Sequence, residues 1–261
     1  MRPPARGIRP TSALLALFAA AACGAPERTP ERTPQPQPVA VLVPAELDLP
    51  EGLRLETTEP EVAEPNRDLH GPADVDGYIA RLESADRLAE LRPEIVIEVL
   101  ALGPDANVAD IGCGPGVFAL PFAAAVPEGL VYAVDVEPRQ LDEVRALLLA
   151  REVGNVIPVL ASYENPHLPP HGVDLIFIGD TYHHFEERVA YLRVLARDLA
   201  PGGRLALLEY KPGDIPVGPP ASHKLAPGVM EAELAEAGFV PAASFDFHRW
   251  HDFTVWKLRE R

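Results

Sequence analysis

The order of strand-like and helix-like segments is the feature that most constrains the fold of this chain. From residue 75 onward, short apolar runs typical of buried strands alternate with amphipathic patterns typical of helices. Because parallel neighbouring strands need a crossover connection, usually a helix, this alternation predicts a parallel sheet covered on both faces. The predicted strands are 108–111, 130–134, 156–161, 173–178 and 204–210, and the predicted helices are 75–91, 93–102, 117–125, 138–151, 186–199 and 227–237.

The carboxyl-terminal end of the chain departs from this alternation. Two β-rich stretches, 239–247 and 252–258, follow one another with no helical pattern between them. Strands joined without a crossover pair antiparallel. The predicted fold class is therefore α/β, a doubly wound seven-stranded sheet that is mostly parallel and whose last strand is antiparallel.

The first 23 residues have the layout of a secretory signal. Arg2, Arg6 and Arg9 precede the uncharged apolar run Ala13–Ala22, which is too short to span a membrane. Small residues followed by Cys23 resemble the lipobox of bacterial lipoproteins, although the usual leucine three residues before the cysteine is missing. We expect an exported chain, periplasmic or anchored to the bacterial cell envelope by a lipid on Cys23; the alternative is an uncleaved start.

Residues 24–66 are predicted to form a Pro-rich linker. Thirteen of the 30 prolines lie in the first 72 residues, and the tetrapeptide ERTP occurs twice in succession. Such sequence is extended and solvated, because proline fixes φ and few apolar groups are present to be buried. The folded domain is therefore expected to occupy residues 67–261.

Composition excludes several classes of protein. With 47% apolar and 24% charged residues the chain has enough apolar sequence for one sizeable core. The formal net charge of −16 repels phosphate backbones, so nucleic acid is not expected as a partner and membrane contact is expected only through Cys23. Two cysteines, Cys23 and Cys113, give no disulfide framework.

The strongest local signal is a glycine-rich turn after the first predicted strand. Three glycines follow residues 108–111, and glycine lets the backbone approach a ligand closely while the next helix offers free N–H groups. Asp135 stands nineteen residues past Gly116, at the end of the second strand, where a carboxylate accepts ribose hydroxyls. By themselves the glycines also fit an ordinary tight turn. A dinucleotide fingerprint would place glycine where Val117 stands, which disfavours a nicotinamide oxidoreductase.

With Asp110 included, the stretch Asp110-Ile-Gly-Cys-Gly-Pro-Gly116 resembles the first motif of class I S-adenosylmethionine-dependent methyltransferases. The resemblance extends over about residues 67–261. It implies a Rossmann-like sheet ending in an antiparallel hairpin, S-adenosylmethionine as cofactor, and transfer of a methyl group to a small-molecule acceptor.

The same resemblance assigns residues to the cofactor. The backbone of the glycine turn would lie against the methionine part, and Asp135 would hold the ribose. Ser162 stands where relatives place an acidic residue for the adenine amino group, although it could instead cap a following helix. The predicted cofactor-binding residues are Asp110, Gly112, Cys113, Gly114, Asp135, Ser162, Tyr163 and Asp180.

The segment after the fourth strand carries the candidate catalytic residue. Residues 179–185 resemble the corresponding motif of methyltransferases related to the quinone- and metalloid-type enzymes. Methyl transfer to a hydroxyl or amine needs alignment and removal of a proton, for which a neutral imidazole is suited. We predict His183 as this base, the alternative being a packing or capping role. Because adjacent side chains point apart in extended or helical backbone, His184 is not expected at the same site, and no metal is expected.

Two further segments resemble parts that cover the site in that subgroup. The N-terminal helical segment around Tyr78, Arg81, Arg87 and Arg92 would cap the cofactor, and residues 217–224 would form a lid. The alternatives are surface salt bridges for the arginines and a rigid connector for the Pro-rich loop. Because S-adenosylmethionine is made in the cytosol and residues 1–23 direct export, a non-catalytic cofactor-binding module tethered in the cell envelope is the alternative function.

Overall fold

A computed structural model describes residues 75–260, which all belong to the unit Glu59–Arg261. The predicted signal peptide, the lipidation at Cys23, the linker 24–66 and the domain start at residue 67 lie outside the described residues. None of the helices within residues 75–260 combines the length and the hydrophobicity that a membrane span requires.

Helices and strands alternate along the described chain. The helices are α1 (Val75–Leu82), α2 (Ala85–Leu91), α3 (Pro93–Leu100), α4 (Ala119–Ala125), α5 (Pro138–Ala150), α6 (Arg188–Asp198) and α7 (Val229–Glu236). The strands are β1 (Val108–Ile111), β2 (Val131–Asp135), β3 (Val156–Leu160), β4 (Val173–Gly179), β5 (Leu199–Tyr210), β6 (Phe239–Phe245) and β7 (His251–Leu258). Short 3₁₀ turns occur at Tyr182–His184 and Ala221–His223.

The strands form one seven-stranded sheet in the order β3-β2-β1-β4-β5-β7-β6. Strands β1 to β5 are parallel, and β7 runs antiparallel to both β5 and β6. The predicted fold class is confirmed. Because β1 and β4 are neighbours where the strand order reverses, their carboxyl ends border the crevice in which such sheets bind ligands.

The sheet is buried on both faces, as the sequence of β4 requires. Leu175 and Phe177 pack into one apolar cluster, whereas Ile176 and Ile178 pack into the other, following the twofold alternation of a strand. The first cluster includes Phe122, whose ring centroid lies 5.3 Å from that of Phe177. The two clusters fix the strand ends that carry the site.

Three boundaries near the site differ from the sequence prediction. The single helix expected at 75–91 is two helices, because the Ser84 side chain accepts a hydrogen bond from the Arg87 N–H and starts α2. The helix expected from residue 117 begins at Ala119, since turns continue after the glycines. Strand β5, expected from residue 204, begins at Leu199, which pairs with Val173 of β4. The register between β4 and β5 then shifts before Leu175.

Candidate active site

The glycine turn joins β1 to the loop that follows β4. All three glycines have left-handed backbone, with φ of 70° at Gly112, 53° at Gly114 and 97° at Gly116, a conformation that favours glycine. A Cβ on Gly112 would clash with the side chain of Thr181. The first glycine is therefore required by the close approach of the Thr181 side chain, which brings the β4 loop against the turn.

Asp135 holds the turn from the end of β2. Its Oδ2 accepts a hydrogen bond from the Gly114 N–H, and its Oδ1 accepts one from the Glu137 N–H, both at 2.9 Å. An ionised carboxylate offers about four acceptor positions, so capacity for ligand hydroxyls remains. The structure thus brings Asp135 and the glycine turn together, as the sequence spacing predicts.

Two buried acceptor oxygens beside the turn find no donor among residues 75–260. They are Oδ2 of Asp110 and Oε1 of Gln140, whose residues are 2% and 3% exposed. Burial, reinforced by the nearby charge of Asp135, raises the pKa of Asp110 to about 8. Burial also raises the pKa of Asp135. The surroundings of the turn therefore suit a ligand that brings hydrogen-bond donors and positive charge, and they oppose a phosphate.

Cys113 lies within the turn as a structural residue. Its thiol is buried, and its Sγ lies 3.4 Å from the Gly114 carbonyl oxygen. Burial raises the pKa of the Cys113 thiol well above its ordinary value, which suppresses the reactive thiolate. The predicted contact of Cys113 with a cofactor therefore concerns its backbone.

The segment after β3 folds into a turn. The Ser162 N–H donates to the carbonyl oxygen of Asn165 at 3.0 Å, and no helix lies between β3 and β4 in this described stretch. The alternative that Ser162 caps a helix is therefore wrong. Tyr163 is 41% exposed. Its partial burial is the main cause that raises the pKa of its hydroxyl, and the negative charges of Glu137 and Asp135 raise that pKa further. The adenine-binding role of Ser162 and Tyr163 stays a prediction.

Asp180 is buried at the end of β4 and joins three elements. Its Oδ2 accepts a hydrogen bond from Nη2 of Arg87 at 2.8 Å, and its Oδ1 lies 3.0 Å from Nε2 of His251. Although burial opposes the charged form, His251 and Arg87 hold the pKa of Asp180 below its ordinary value. Arg87 also donates to the Tyr210 hydroxyl. The Arg87 ion pair thus lies inside the site, which corrects the surface salt bridge considered from sequence.

His183 forms a buried pair with Glu209 of β5. Nδ1 of His183 lies 2.8 Å from Oε1 of Glu209, and the His183 backbone N–H donates to Oε2 at 3.2 Å. The two side chains are 4% and 5% exposed. Because the carboxylate accepts from Nδ1, a neutral His183 ring keeps its proton there and leaves Nε2 as the basic nitrogen. This arrangement suits a general base.

A cavity of about 340 Å³ lies beside His183 and His184. The ring centroids of these histidines are 4.1 Å apart, and both side chains line the cavity. The expectation that only one of them reaches the site is wrong, because both belong to a 3₁₀ turn rather than to a strand or an α-helix. The lining residues are His183, His184, Arg188, Ser222, His223, Lys224, Leu225, Ala226 and Val229.

The loop between β5 and α7 forms one wall of the cavity beside His183. A Cβ on Gly218 would clash with the ring of Tyr210, so the loop packs directly on that side chain. Lys224 donates to the carbonyl oxygen of Gly213 within the same loop. Residues 75–260 contain no group of three or more His, Cys, Asp or Glu arranged to hold a metal ion.

Sequence reasoning missed one residue of the site, Gln140, and one contact, between His183 and Glu209. Gln140 lies on the buried face of α5 with Leu141 and Val144, and a polar residue in that apolar pattern is the signal that could have identified it. The pairing of Glu209 with His183 has no local signal, since it depends on the packing of β5 beside β4.

Comparisons with known proteins agree with this geometry. Residues 108–203 match a family model described as a methyltransferase domain. The chain is 29% identical over 147 residues to aklanonic acid methyltransferase DauC of Streptomyces sp. strain C5, covering 55% of this chain and 67% of the relative. It is 34% identical over 128 residues to trans-aconitate 2-methyltransferase of Methylobacterium nodulans, covering 48% of this chain and 46% of the relative. The match thus spans two thirds of the first relative and about half of the second.

A solved structure shares the fold over nearly its whole length. The crystal structure of a SAM-dependent methyltransferase from Aquifex aeolicus superposes with a TM-score of 0.66. Sequence identity is 24%, and the match covers 69% of this chain and 96% of the other. The shared architecture is the mostly parallel seven-stranded sheet with its antiparallel end.

We predict that Asp110→Asn changes the pH dependence of stability. Asp110 keeps its proton up to about pH 8 when folded, whereas its ordinary pKa is 3.8, so wild-type stability falls as pH rises through this window. The asparagine does not titrate. The free energy of unfolding of the variant relative to wild type should therefore rise by roughly 3 kcal/mol between pH 5 and pH 7.

Urea denaturation at several pH values measures this difference. Asp142→Asn is the matched control, because the Asp142 side chain is 70% exposed and its difference from wild type should vary little with pH. A difference between Asp110→Asn and wild type that stays constant from pH 5 to pH 7 would contradict the prediction.

Proposed function

We propose that the chain is a class I S-adenosylmethionine-dependent methyltransferase that methylates a small-molecule acceptor with His183 as base, on the support of its fold and of its match to a methyltransferase domain. The observation that carries this proposal is the glycine turn bordered by acceptor oxygens that the protein itself leaves without donors. Two relatives are named for methyl transfer to aklanonic acid and trans-aconitate, which supports a small acceptor.

The residues around the turn fit the proposed cofactor. S-adenosylmethionine carries a sulfonium, an ammonium group and ribose hydroxyls, so it supplies positive charge and donors where Asp110 and Gln140 lack them. When bound, it provides a methyl group already activated for displacement. We assign Asp135 to the ribose hydroxyls, Asp110 and Gln140 to the cationic methionine part, and the backbone of Gly112 to Gly114 to close contact with it.

His183 and Glu209 supply the proton transfer in this proposal. When the activated methyl group is transferred, Nε2 of His183 would take the proton that the acceptor hydroxyl or amine gives up. Glu209 acts as a positioning residue, since its contact at 2.8 Å keeps the proton of the neutral ring on Nδ1. The loop that packs on Tyr210 supplies Ser222 and His223 to the wall of the cavity beside His183.

We further propose that the enzyme acts in the cell envelope. The support is the charged, apolar and small-residue sequence of residues 1–23, which ends in Cys23. The same segment motivates the second candidate function, a tethered module that binds the cofactor without catalysis. Catalysis and binding alone are distinguished by the experiments below.

We predict that Asp135→Ala abolishes tight cofactor binding. The substitution removes the carboxylate assigned to the ribose and the acceptor for the Gly114 N–H, so the Kd for S-adenosylmethionine should rise about 100-fold or more. Calorimetric titration of the full chain with S-adenosylmethionine and S-adenosylhomocysteine measures this. Asp142→Ala, an exposed control, should change Kd less than about twofold. Absence of binding of both ligands to wild type would refute the proposed function.

We predict that His183→Gln and Glu209→Gln slow methyl transfer without weakening cofactor binding. Loss of the base should lower kcat by about 10²- to 10⁴-fold, and loss of the Glu209 charge should lower it less, because the imidazole remains. Transfer of labelled methyl groups to a panel of small acids, phenols and amines gives kcat, and calorimetry gives Kd. Equal kcat values for wild type and His183→Gln would show that His183 is not the base. Absence of methyl transfer to any acceptor, despite tight binding of S-adenosylmethionine, would favour the tethered module.

We predict that residues 1–23 direct export of a fused reporter in a bacterium. Replacing Cys23 by Ser should abolish lipid labelling, because the serine hydroxyl cannot form the thioether, while export continues. Fractionation and labelling with a radioactive fatty acid measure the two effects. A reporter that stays in the cytosol would contradict the proposed location and leave the enzymatic proposal intact.

A further inference from the structure

The cavity beside His183 has basic walls in an acidic protein. The chain has a formal net charge of −16, yet none of the nine residues that line the cavity is acidic. Its volume of about 340 Å³ lies at the small end of the range of about 300–1,000 Å³ for ligand pockets. The ionisable residues of the lining are His183, His184, Arg188, His223 and Lys224.

The basic groups differ in how far the protein neutralises them. Arg188 forms a bidentate pair with Glu233, with Nε and Nη2 at 2.8 and 2.9 Å from the carboxylate oxygens. Lys224, in contrast, donates from Nζ to the Gly213 carbonyl oxygen at 3.3 Å and lies 5.9 Å from the centroid of the Tyr210 ring. Neither of these two partners carries a negative charge. Lys224 therefore brings to the cavity wall a positive charge that these contacts do not cancel.

One wall of the cavity follows closely along the chain from the residue that packs against the cofactor turn. The Thr181 side chain packs against Gly112, and His183 follows only two residues later and lines the cavity. The opposite wall comes from the loop that packs on Tyr210, including Ser222 and His223 of the second 3₁₀ turn. A molecule in the cavity would thus contact both the proposed base and this loop.

We propose that this cavity binds the methyl acceptor as a small organic anion bearing a carboxylate or phosphate group, with Lys224 as the principal partner of its negative charge. The identification of the bound molecule as the methyl acceptor rests on the proposed function. Its negative charge, in contrast, is inferred from the residues that line the cavity. A cation within a partly enclosed cavity attracts an anion more strongly than it does in bulk water. His223 and Ser222 offer further hydrogen bonds to the anion.

Calorimetric titration of the full chain with matched probes tests this inference. The probes are benzoate, phenyl phosphate and the uncharged isostere benzamide, each with and without S-adenosylhomocysteine at low ionic strength. Both anions should bind more tightly than benzamide, and Lys224→Gln should raise the Kd of the preferred anion about tenfold. Lys257→Gln removes the same charge at an exposed position of β7 outside the lining, so it should leave that Kd unchanged. The preferred anion identifies the charged group.

Three results would overturn the inference: no binding of either anion, neither anion binding more tightly than benzamide, or equal affinities of Lys224→Gln and Lys257→Gln for both anions. Titration of the same preparation with S-adenosylmethionine reports separately on the proposed function. If S-adenosylmethionine fails to bind while the anions still distinguish Lys224 from Lys257, the methyltransferase proposal fails and the anion-binding cavity stands.

Discussion

The ion pair between Asp180 and Arg87 is the interaction on which the geometry of the site depends. It joins α2 to the end of β4, and His251 on the other oxygen of the carboxylate adds β7. The Asp180 N–H donates to the Leu208 carbonyl oxygen, so β5 is held as well. Thr181 follows Asp180 directly, and His183 comes two residues later. The ion pair therefore fixes the loop that separates the cofactor turn from the acceptor cavity.

The two sides of that loop have opposite electrostatic character. On the side of the glycine turn, Asp110 and Asp135 are carboxyl groups whose burial raises their pKa. On the cavity side, Lys224 and the histidines provide positive or neutral nitrogen groups. A cationic cofactor and an anionic acceptor are thereby sorted to different sides, and the attraction between them favours the approach of the acceptor atom to the methyl group.

The parts of this site that depend on local sequence were predictable, and the parts that depend on strand register were not. The alternation of strands and helices predicted the sheet, and the spacing of the glycine turn and Asp135 predicted their meeting at one edge. The contact between His183 and Glu209 joins residues 26 apart, and the one between Arg87 and Asp180 joins residues 93 apart. Both arise only when packed elements bring the partners together, for which the sequence contains no periodic signal.

Two aspartates with buried side chains, Asp180 and Asp110, have opposite shifts in pKa because their partners differ. The Asp180 carboxylate lies against Arg87 and His251 of the protein, and these two residues keep its pKa low despite burial. Asp110 is equally inaccessible, but no cation of the protein contributes to its shift, and its pKa rises to about 8. A buried carboxyl without a counter-charge destabilises the ionised form. A cationic ligand beside Asp110 would relieve that cost, which supports the proposed cofactor site at Asp110, whereas Asp180 already has its partners in the protein and holds the neighbouring elements together.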